Sequence, residues 1–263
     1  KRQALKAADV GVAMGGGHSE IAGAIADVVA DDDKLATLID AIAQGRGIYA
    51  NIRKSIHYLL STNFSEIEVM LAGLALGMPQ PLNPLQLLWI NLVTDVFPAL
   101  ALALERPEED VLAQPPRDPD EPVVTGDDLR RMLGESAVIS VSALAAYRFG
   151  LARYGPGPRA GTLAFSTLTA AQLIHAYVCR RARPSASSSG NWRLDLAVGG
   201  SLALQGLALL FPPTRRLLGA ARPGIVDLAV TAAGAIAPAM INRALKERRA
   251  AAAGGPPVEE KSS

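Results

Sequence analysis

Cysteine is almost absent from this sequence. Cys179 is the single cysteine in 263 residues, which excludes an internal disulfide framework and any cysteine-based zinc site within one chain. Aromatics are scarce at 5%, so the 49% hydrophobic content is carried mainly by Ala, Leu and Val. Charged residues make up only 19%, and the net charge of +1 argues against a nucleic-acid partner. An initiating Met and a signal-peptide pattern are also lacking, so the sequence reads as a piece of something longer. What remains is small apolar residues in long runs, a composition that suits closely packed membrane helices.

The runs alternate with short charged or proline-rich connectors. Six approach the roughly 18–20 residues that cross a bilayer, at about 56–76, 85–104, 132–149, 162–178, 194–211 and 224–241. "GMPQPLNP" (77–84) is a tight turn that makes the first two an antiparallel hairpin. "ERPEEDVLAQPPRDPDEPVVTGDD" (105–128) reads as an acidic, extended surface loop. The expected fold is mainly α, a polytopic six-helix transmembrane region with both termini cytoplasmic. Arg130, Arg131, Arg180, Arg181, Arg183, Arg193, Lys246, Arg248 and Arg249 then fall inside, as the positive-inside rule asks. Arg215, Arg216 and Arg222 fall outside and oppose it. Residues 242–263 read as a disordered tail.

Residues 1–50 differ in kind. "VGVAM" and "DVVADD" are short strands separated by a glycine-rich turn (Gly15, Gly16, Gly17) and a helix with Ser19 as its N-cap. Two strands are too few for an independent sheet, so this stretch is the end of an α/β domain. "GGGHSE" lacks the full phosphate-loop patterns and reads as a strand-to-helix turn. From Lys34 no strong breaker occurs before Gly77, so one helix is expected to run on into the first apolar span, weakened locally at Gly45 and Gly47.

The informative residues are the polar ones inside the spans. Asn91, Thr94 and Asp95 stand at i, i+3 and i+4, sharing one helix face, and Asn63 and Glu66 do the same on the preceding span. Two carboxylates, two amides and a hydroxyl form an all-oxygen set, which suits a hard cation rather than zinc or copper. A carboxylate at mid-bilayer costs roughly 2.5–3.5 kcal/mol on insertion scales, so such residues persist where they face a partner or a pathway. Pro98 has no amide hydrogen and frees a carbonyl near Thr94, a break of the kind transporters use at ion sites. Asn63, Asn91 and Thr94 taken singly could equally be interhelical glue. Glu68 faces elsewhere, toward an access path or an interface. His57 and His175 read as packing residues, His18 as solvent-facing, and Cys179 as a small buried residue.

"ALKAADVGVAMG", "GRGIYANIRKSIHYLLSTN", "PLQLLWINLVTDVFPALALALERPEEDVL" and "AFSTLTAAQLIHAYVCR" resemble the type II P-type ATPases of the calcium-pump-like branch of bacteria. The resemblance covers nearly the whole chain in order, more loosely in its last two spans. It implies that residues 1–35 end a HAD-like, Rossmann-type phosphorylation domain, that 36–55 form a stalk helix, and that 56–241 are the fifth to tenth membrane helices. It implies Asn63, Glu66, Asn91, Thr94 and Asp95 as cation ligands. ATP and Mg²⁺ serve the full-length pump, Ca²⁺ is the favoured cargo, and the partners are membrane lipid and the N-terminal pump domains. A bacterial plasma membrane is the expected location.

Departures from the family pattern also carry expectations. D-K-T-G-T, the T-G-E-S loop, the first four membrane helices and the T-G-D-G-x-N-D-x-P motif are not in this sequence. The chain alone is therefore expected to show no ATP hydrolysis by the family's mechanism. Gln172 stands where two-calcium pumps carry a Glu, so it is either a neutral ligand that weakens one of two sites or interhelical glue. The rival reading is a stand-alone, non-enzymatic membrane protein derived from a pump by truncation, binding a partner or a cation without ATP.

Overall fold

A computed structural model describes residues 3, 7–14, 24–30, 32, 34–106, 111–113, 115, 117–118, 120–180 and 191–253. The expectations for Gly15–Gly17, His18, Ser19, Arg181 and Arg183 lie outside these residues. The chain divides into two compact units, Lys1–Ala50 with Arg106–Arg117, and Asn51–Glu105 with Asp118–Ser263.

In the first unit the two short apolar runs pair as expected. β1 (Val12–Met14) and β2 (Val28–Ala30) are parallel, with Val12 opposite Val28. Asp27 ties the strand entrances together by accepting from the Gly11 amide at 2.8 Å. Val111 is buried, and its carbonyl accepts from Arg46 at 3.1 Å. The guanidinium of Arg117 lies 4.6 Å over the ring of Tyr49.

The helix α1 (Leu35–Ala75) is unbroken for 41 residues, about 60 Å at 1.5 Å per residue. It passes through Gly45 and Gly47, whose loss of helix propensity is only about 1 kcal/mol each. Gly77 ends it. Its φ of +63° lets the Gly77 and Met78 amides turn back onto the carbonyls of Leu74 and Gly73, both at 3.0 Å. Asn83 and Gln86 then form a reciprocal capping box that starts α2 (Pro84–Ile90). A single π-helical turn (Asn91–Asp95) follows, and α3 (Val96–Ala103) completes the segment.

The rest of the second unit is α4 (Gly126–Tyr154), α5 (Pro158–Cys179), α6 (Trp192–Leu210), the short α7 (Pro212–Leu217) and α8 (Ile225–Ala253). α8 continues to Ala253, where the sequence reading ended the helix at 241 and began a disordered tail. The stretch Asn242–Ala253 is rich in Ala, Arg, Lys and Glu, all strong helix formers. Residues 254–263 lie outside the described residues.

α5 is the central helix. Small residues let its neighbours approach closely: Gly150 of α4 packs against Ala160, and Gly234 of α8 against Thr167. One core gathers around Ile139, Phe165 and Leu168, and a second cluster around Tyr58, Val93 and Leu173.

Around these cores, burial departs from the pattern of a water-soluble protein. Gln172, His175 and Asn242 are buried, while Leu74, Val141, Leu207 and Met240 are 77%, 68%, 62% and 67% exposed. Apolar surface on this scale needs a covering medium. Among the described residues, four helical segments are long and apolar enough to cross a membrane: Pro84–Ala103, Pro158–Cys179, Trp192–Leu210 and Ile225–Arg249. The expected spans at 56–76 and 132–149 are helical, the first as far as Ala75, but carry Glu66, Glu68, Glu135 and Arg148, which lower their hydropathy. The chain is a mainly helical, multi-pass membrane protein.

Candidate cation site

The hairpin brings the two expected polar clusters together. Because α1 and the Pro84–Ala103 segment run antiparallel, a step of four residues along one is matched by four back along the other. Asp95 therefore faces Thr62 and Asn63, while Asn91 faces Glu66. Thr62 Oγ1 donates to Asp95 Oδ1 at 3.4 Å and Asn63 Nδ2 to Asp95 Oδ2 at 3.3 Å. Thr94 Oγ1 adds a third donor to Asp95 at 3.2 Å while also donating to the Ile90 carbonyl. With its amide nitrogen facing Glu66, Asn91 lies 3.1 and 3.2 Å from the two carboxylate oxygens.

Gln172 joins from α5. Fully buried, it donates through Nε2 to the Thr62 carbonyl, Ser65 Oγ and Glu66 Oε1 at 3.0, 3.1 and 3.3 Å. Its Oε1 has no hydrogen-bond partner among the described residues, an arrangement that leaves a buried acceptor unsatisfied. All six sequence-predicted residues thus lie in one cluster. Among the described residues no Lys, Arg or His side chain pairs with Glu66 or Asp95; the surrounding groups are amides and hydroxyls.

Pro98 has the effect expected on the backbone. Its missing N–H leaves the Thr94 carbonyl without an α-helical donor, and the chain widens there into the π-helical turn. The freed oxygen is taken up across the hairpin. The buried Tyr58 hydroxyl donates to it at 2.8 Å, and Ser201 of α6 donates to the neighbouring Val93 carbonyl at 2.9 Å. A carbonyl buried among helices must find a donor, and these hydroxyls lie nearest.

Tyr58, Thr62 and Ser65 were not singled out in the sequence. The signal was there: with Glu66 and Val69 they recur at helical spacing along one face of α1, and all are buried. Glu68 points to α4 instead, where it accepts from Ser136 and Ser140 at 2.8 and 2.7 Å. It packs in an interface between helices.

Chemically, the cluster concentrates oxygen ligands around two carboxylates. A half-turn of the Asn63, Asn91 or Gln172 amide exchanges its nitrogen for its oxygen in nearly the same place, so each can switch from donating to a carboxylate to facing a cation. That chemistry suits a hard ion that takes several oxygen ligands.

Residues 79–247 match the family described as "Cation transporting ATPase, C-terminus". The chain belongs to that family. Among its relatives are a calcium-transporting ATPase of Bacillus subtilis, 40% identical over 216 residues (80% of this chain and 24% of the relative), and calcium-transporting ATPase 1 of Schizosaccharomyces pombe, 32% identical over 230 residues (86% and 26%). A calcium-transporting ATPase 1 of Bacillus cereus is 32% identical over 262 residues (92% and 29%). The chain spans about a quarter of the length of these relatives. It corresponds to the C-terminal part of a type II cation-transporting P-type ATPase, which bears out the family resemblance seen in its sequence.

Proposed function

We propose that this chain supplies the membrane-embedded cation-binding region of an ATP-driven pump whose cargo is Ca²⁺. Asp95 and Glu66 carry the charge of the site. Asn63, Asn91, Thr94 and Gln172 provide neutral oxygens. The observation that carries this reading is the pairing of Asp95 with Thr62 and Asn63, and of Glu66 with Asn91 and Gln172, inside one helical cluster with no basic partner among the described residues. The relatives' names, calcium-transporting ATPases, support Ca²⁺ as the ion.

In this reading residues 1–35 belong to the phosphorylation domain, 36–55 form the stalk, and six helices cross the membrane with both termini cytoplasmic. Glu66 and Asp95 lie within the hairpin of the first two crossings. The two less apolar crossings, in α1 and α4, are the ones that carry Glu66, Glu68 and Glu135 inward, and of these only Glu66 belongs to the proposed site. The pump's other domains provide ATP hydrolysis with Mg²⁺.

The test is cation-stimulated phosphorylation in a pump assembled with those domains. Asp95→Asn is expected to abolish the stimulation while leaving protein in the membrane. Wild-type cation dependence in that variant would overturn the assignment. Glu66→Gln is expected to weaken cation affinity; unchanged affinity with a loss of stability would make Glu66 a structural residue.

A further inference from the structure

A second cluster of ligand-type side chains has no part in this reading. His57 of α1 and His175 and Cys179 of α5 are buried or half-buried, and one ligand atom from each lies within 4.8 Å of the others. Glu135 of α4 is buried beside them, its Oε2 2.6 Å from His57 Nε2 and 3.5 Å from His175 Nε2. The two imidazole rings stack with centroids 6.4 Å apart. His175 is 1% exposed, yet neither of its ring nitrogens makes a hydrogen bond among the described residues. A neutral imidazole has one donor and one acceptor to place; Nε2 only approaches Glu135 at 3.5 Å and Nδ1 has no partner among the described residues, which leaves His175 under-satisfied for a buried group.

We propose that His57, His175 and Cys179, with Glu135 completing the set, bind a divalent transition metal of the zinc class. Two imidazoles, one thiolate and one carboxylate are the nitrogen, sulfur and oxygen donors that Zn²⁺ takes in a four-coordinate site. The all-oxygen cluster around Asp95 selects a different class of ion. Zn–N bonds of about 2.0–2.1 Å and Zn–S bonds of about 2.3 Å give a tetrahedron with edges of roughly 3.3–3.6 Å. The 4.8 Å limit on the present spacing is then closed by side-chain movements of about 1 Å.

Binding balances simply. The Cys179 thiol gives its proton to solvent, and the His57 proton facing Glu135 moves from Nε2 to Nδ1. Arg131 Nη2, now 3.4 Å from His57 Nδ1, must then turn from the new Nδ1–H, and its contact with Asp128 at 3.2 Å gives it a partner to keep. A cavity of about 150 Å³ lined by His57, Glu135, Cys179, Arg53, Arg131 and Lys246 gives the ion access. The cationic residues lining it are engaged: Arg53 and Arg131 pair with Asp128, Lys54 pairs with Glu105, and Lys246 donates to the carbonyls of Val178 and Arg180.

The sequence hid this cluster. The sequence reading of a single cysteine excludes any cysteine-based zinc site; that exclusion holds for centres built on several thiolates, but not for one thiolate joined to two imidazoles. Residues 57, 135 and 175 come from three helices, and no short motif connects them.

The experiment uses the purified chain in detergent, stripped of metal with a chelator, then titrated with Zn²⁺ by calorimetry and with Co²⁺ by absorbance. One Zn²⁺ per chain and a thiolate-to-cobalt charge-transfer band are expected. Cys179→Ser removes the band, and Glu135→Gln weakens Zn²⁺ binding by about 10–100-fold. Asp95→Asn leaves both readouts intact, which separates this site from the proposed Ca²⁺ site. The absence of a charge-transfer band in the wild-type chain overturns the proposal, even if a variant fails to fold. So does Zn²⁺ binding that is unchanged by Cys179→Ser or lost in Asp95→Asn.

Discussion

The Tyr58 hydroxyl donates across the hairpin to the carbonyl oxygen of Thr94 at 2.8 Å. Thr94 lies four residues before Pro98, where an α-helix would have its carbonyl accept from an amide that proline lacks. One phenol thus repairs the break made by one proline and holds the π-helical turn against α1. That turn positions Asn91 and Asp95 one helical step apart, so that each meets a different level of α1.

Tyr58→Phe keeps the ring in its core and deletes the donor. The Thr94 carbonyl is then buried without a partner, which costs about 1–3 kcal/mol. Thermal unfolding of the detergent-solubilised chain is expected at a lower midpoint. Adding Pro98→Ala returns an amide that can reach Thr94, so the double variant should be milder than the two single effects combined. Strict additivity would mean that the hydroxyl and the proline are not coupled.

Gln172→Glu tests whether α5 contributes to the ion site. The substitution removes the Nε2 donor to Thr62, Ser65 and Glu66 and sets a second carboxylate against Glu66. Without cation the variant is expected to melt at lower temperature than the wild type. With Ca²⁺ the added charge becomes a ligand, and each tenfold gain in affinity is about 1.4 kcal/mol of extra stabilisation. The readout is the Ca²⁺-induced rise in melting temperature, expected to exceed that of the wild type. An equal or smaller rise would place Gln172 outside the site.

The two levels of this structure differ in how far the sequence discloses them. The pairing of the hairpin was legible because the signals are local: a proline-rich turn, and polar residues at helical spacing on both sides of it. Asn63, Glu66, Asn91, Thr94 and Asp95 follow from that spacing alone. Tyr58, Thr62 and Ser65 were less visible because a Tyr, Thr or Ser in an apolar run is unremarkable until its neighbour is known. The fate of the Thr94 carbonyl was not legible either. Proline predicts that an oxygen is freed, but which donor takes it depends on packing between helices. The same limit applies to His57, Glu135 and His175, each ordinary in its own segment and brought together only by the contact of three helices.

Gly150 tests how tightly α4 and α5 are packed. A Cβ added there would lie 2.8 Å from the Ala160 Cα, a backbone atom that moves only if the helices separate. Gly150→Ala is therefore expected to destabilise by about 1–3 kcal/mol, the usual cost of overpacking. Gly134, on the same helix, has open space where its Cβ would go. Gly134→Ala should be neutral or stabilising by up to about 1 kcal/mol through helix propensity. Equal effects of the two substitutions on the melting temperature would show that close approach at Gly150 does not limit the packing.

Asp128 makes the start of α4 sensitive to acid. Thr125 and Asp128 form a capping box, with the Asp128 amide donating to Thr125 Oγ1 and the Thr125 amide and hydroxyl donating to Asp128 Oδ2. Arg53 and Arg131 add contacts at 2.8 and 3.2 Å. Partial burial alone would push the carboxyl up, but the Thr125 hydrogen bonds and the Arg53 guanidinium outweigh it and hold it below the ordinary carboxylate range. A depressed value means that the folded chain takes up this proton less readily than the unfolded chain. The stabilisation is therefore complete above the unfolded Asp value of about 3.9 and is lost as pH falls through the lower folded value. Asp128→Asn is expected to lower the melting temperature at neutral pH, and Thr125→Ala to do so by about 1 kcal/mol as a lost cap. The gap between wild type and Asp128→Asn should narrow as the pH is taken below about 4, where the wild-type carboxylate is itself neutralised. A gap that stays constant into acid would mean that Asp128 acts through the shape of its hydrogen bonds and not through its charge.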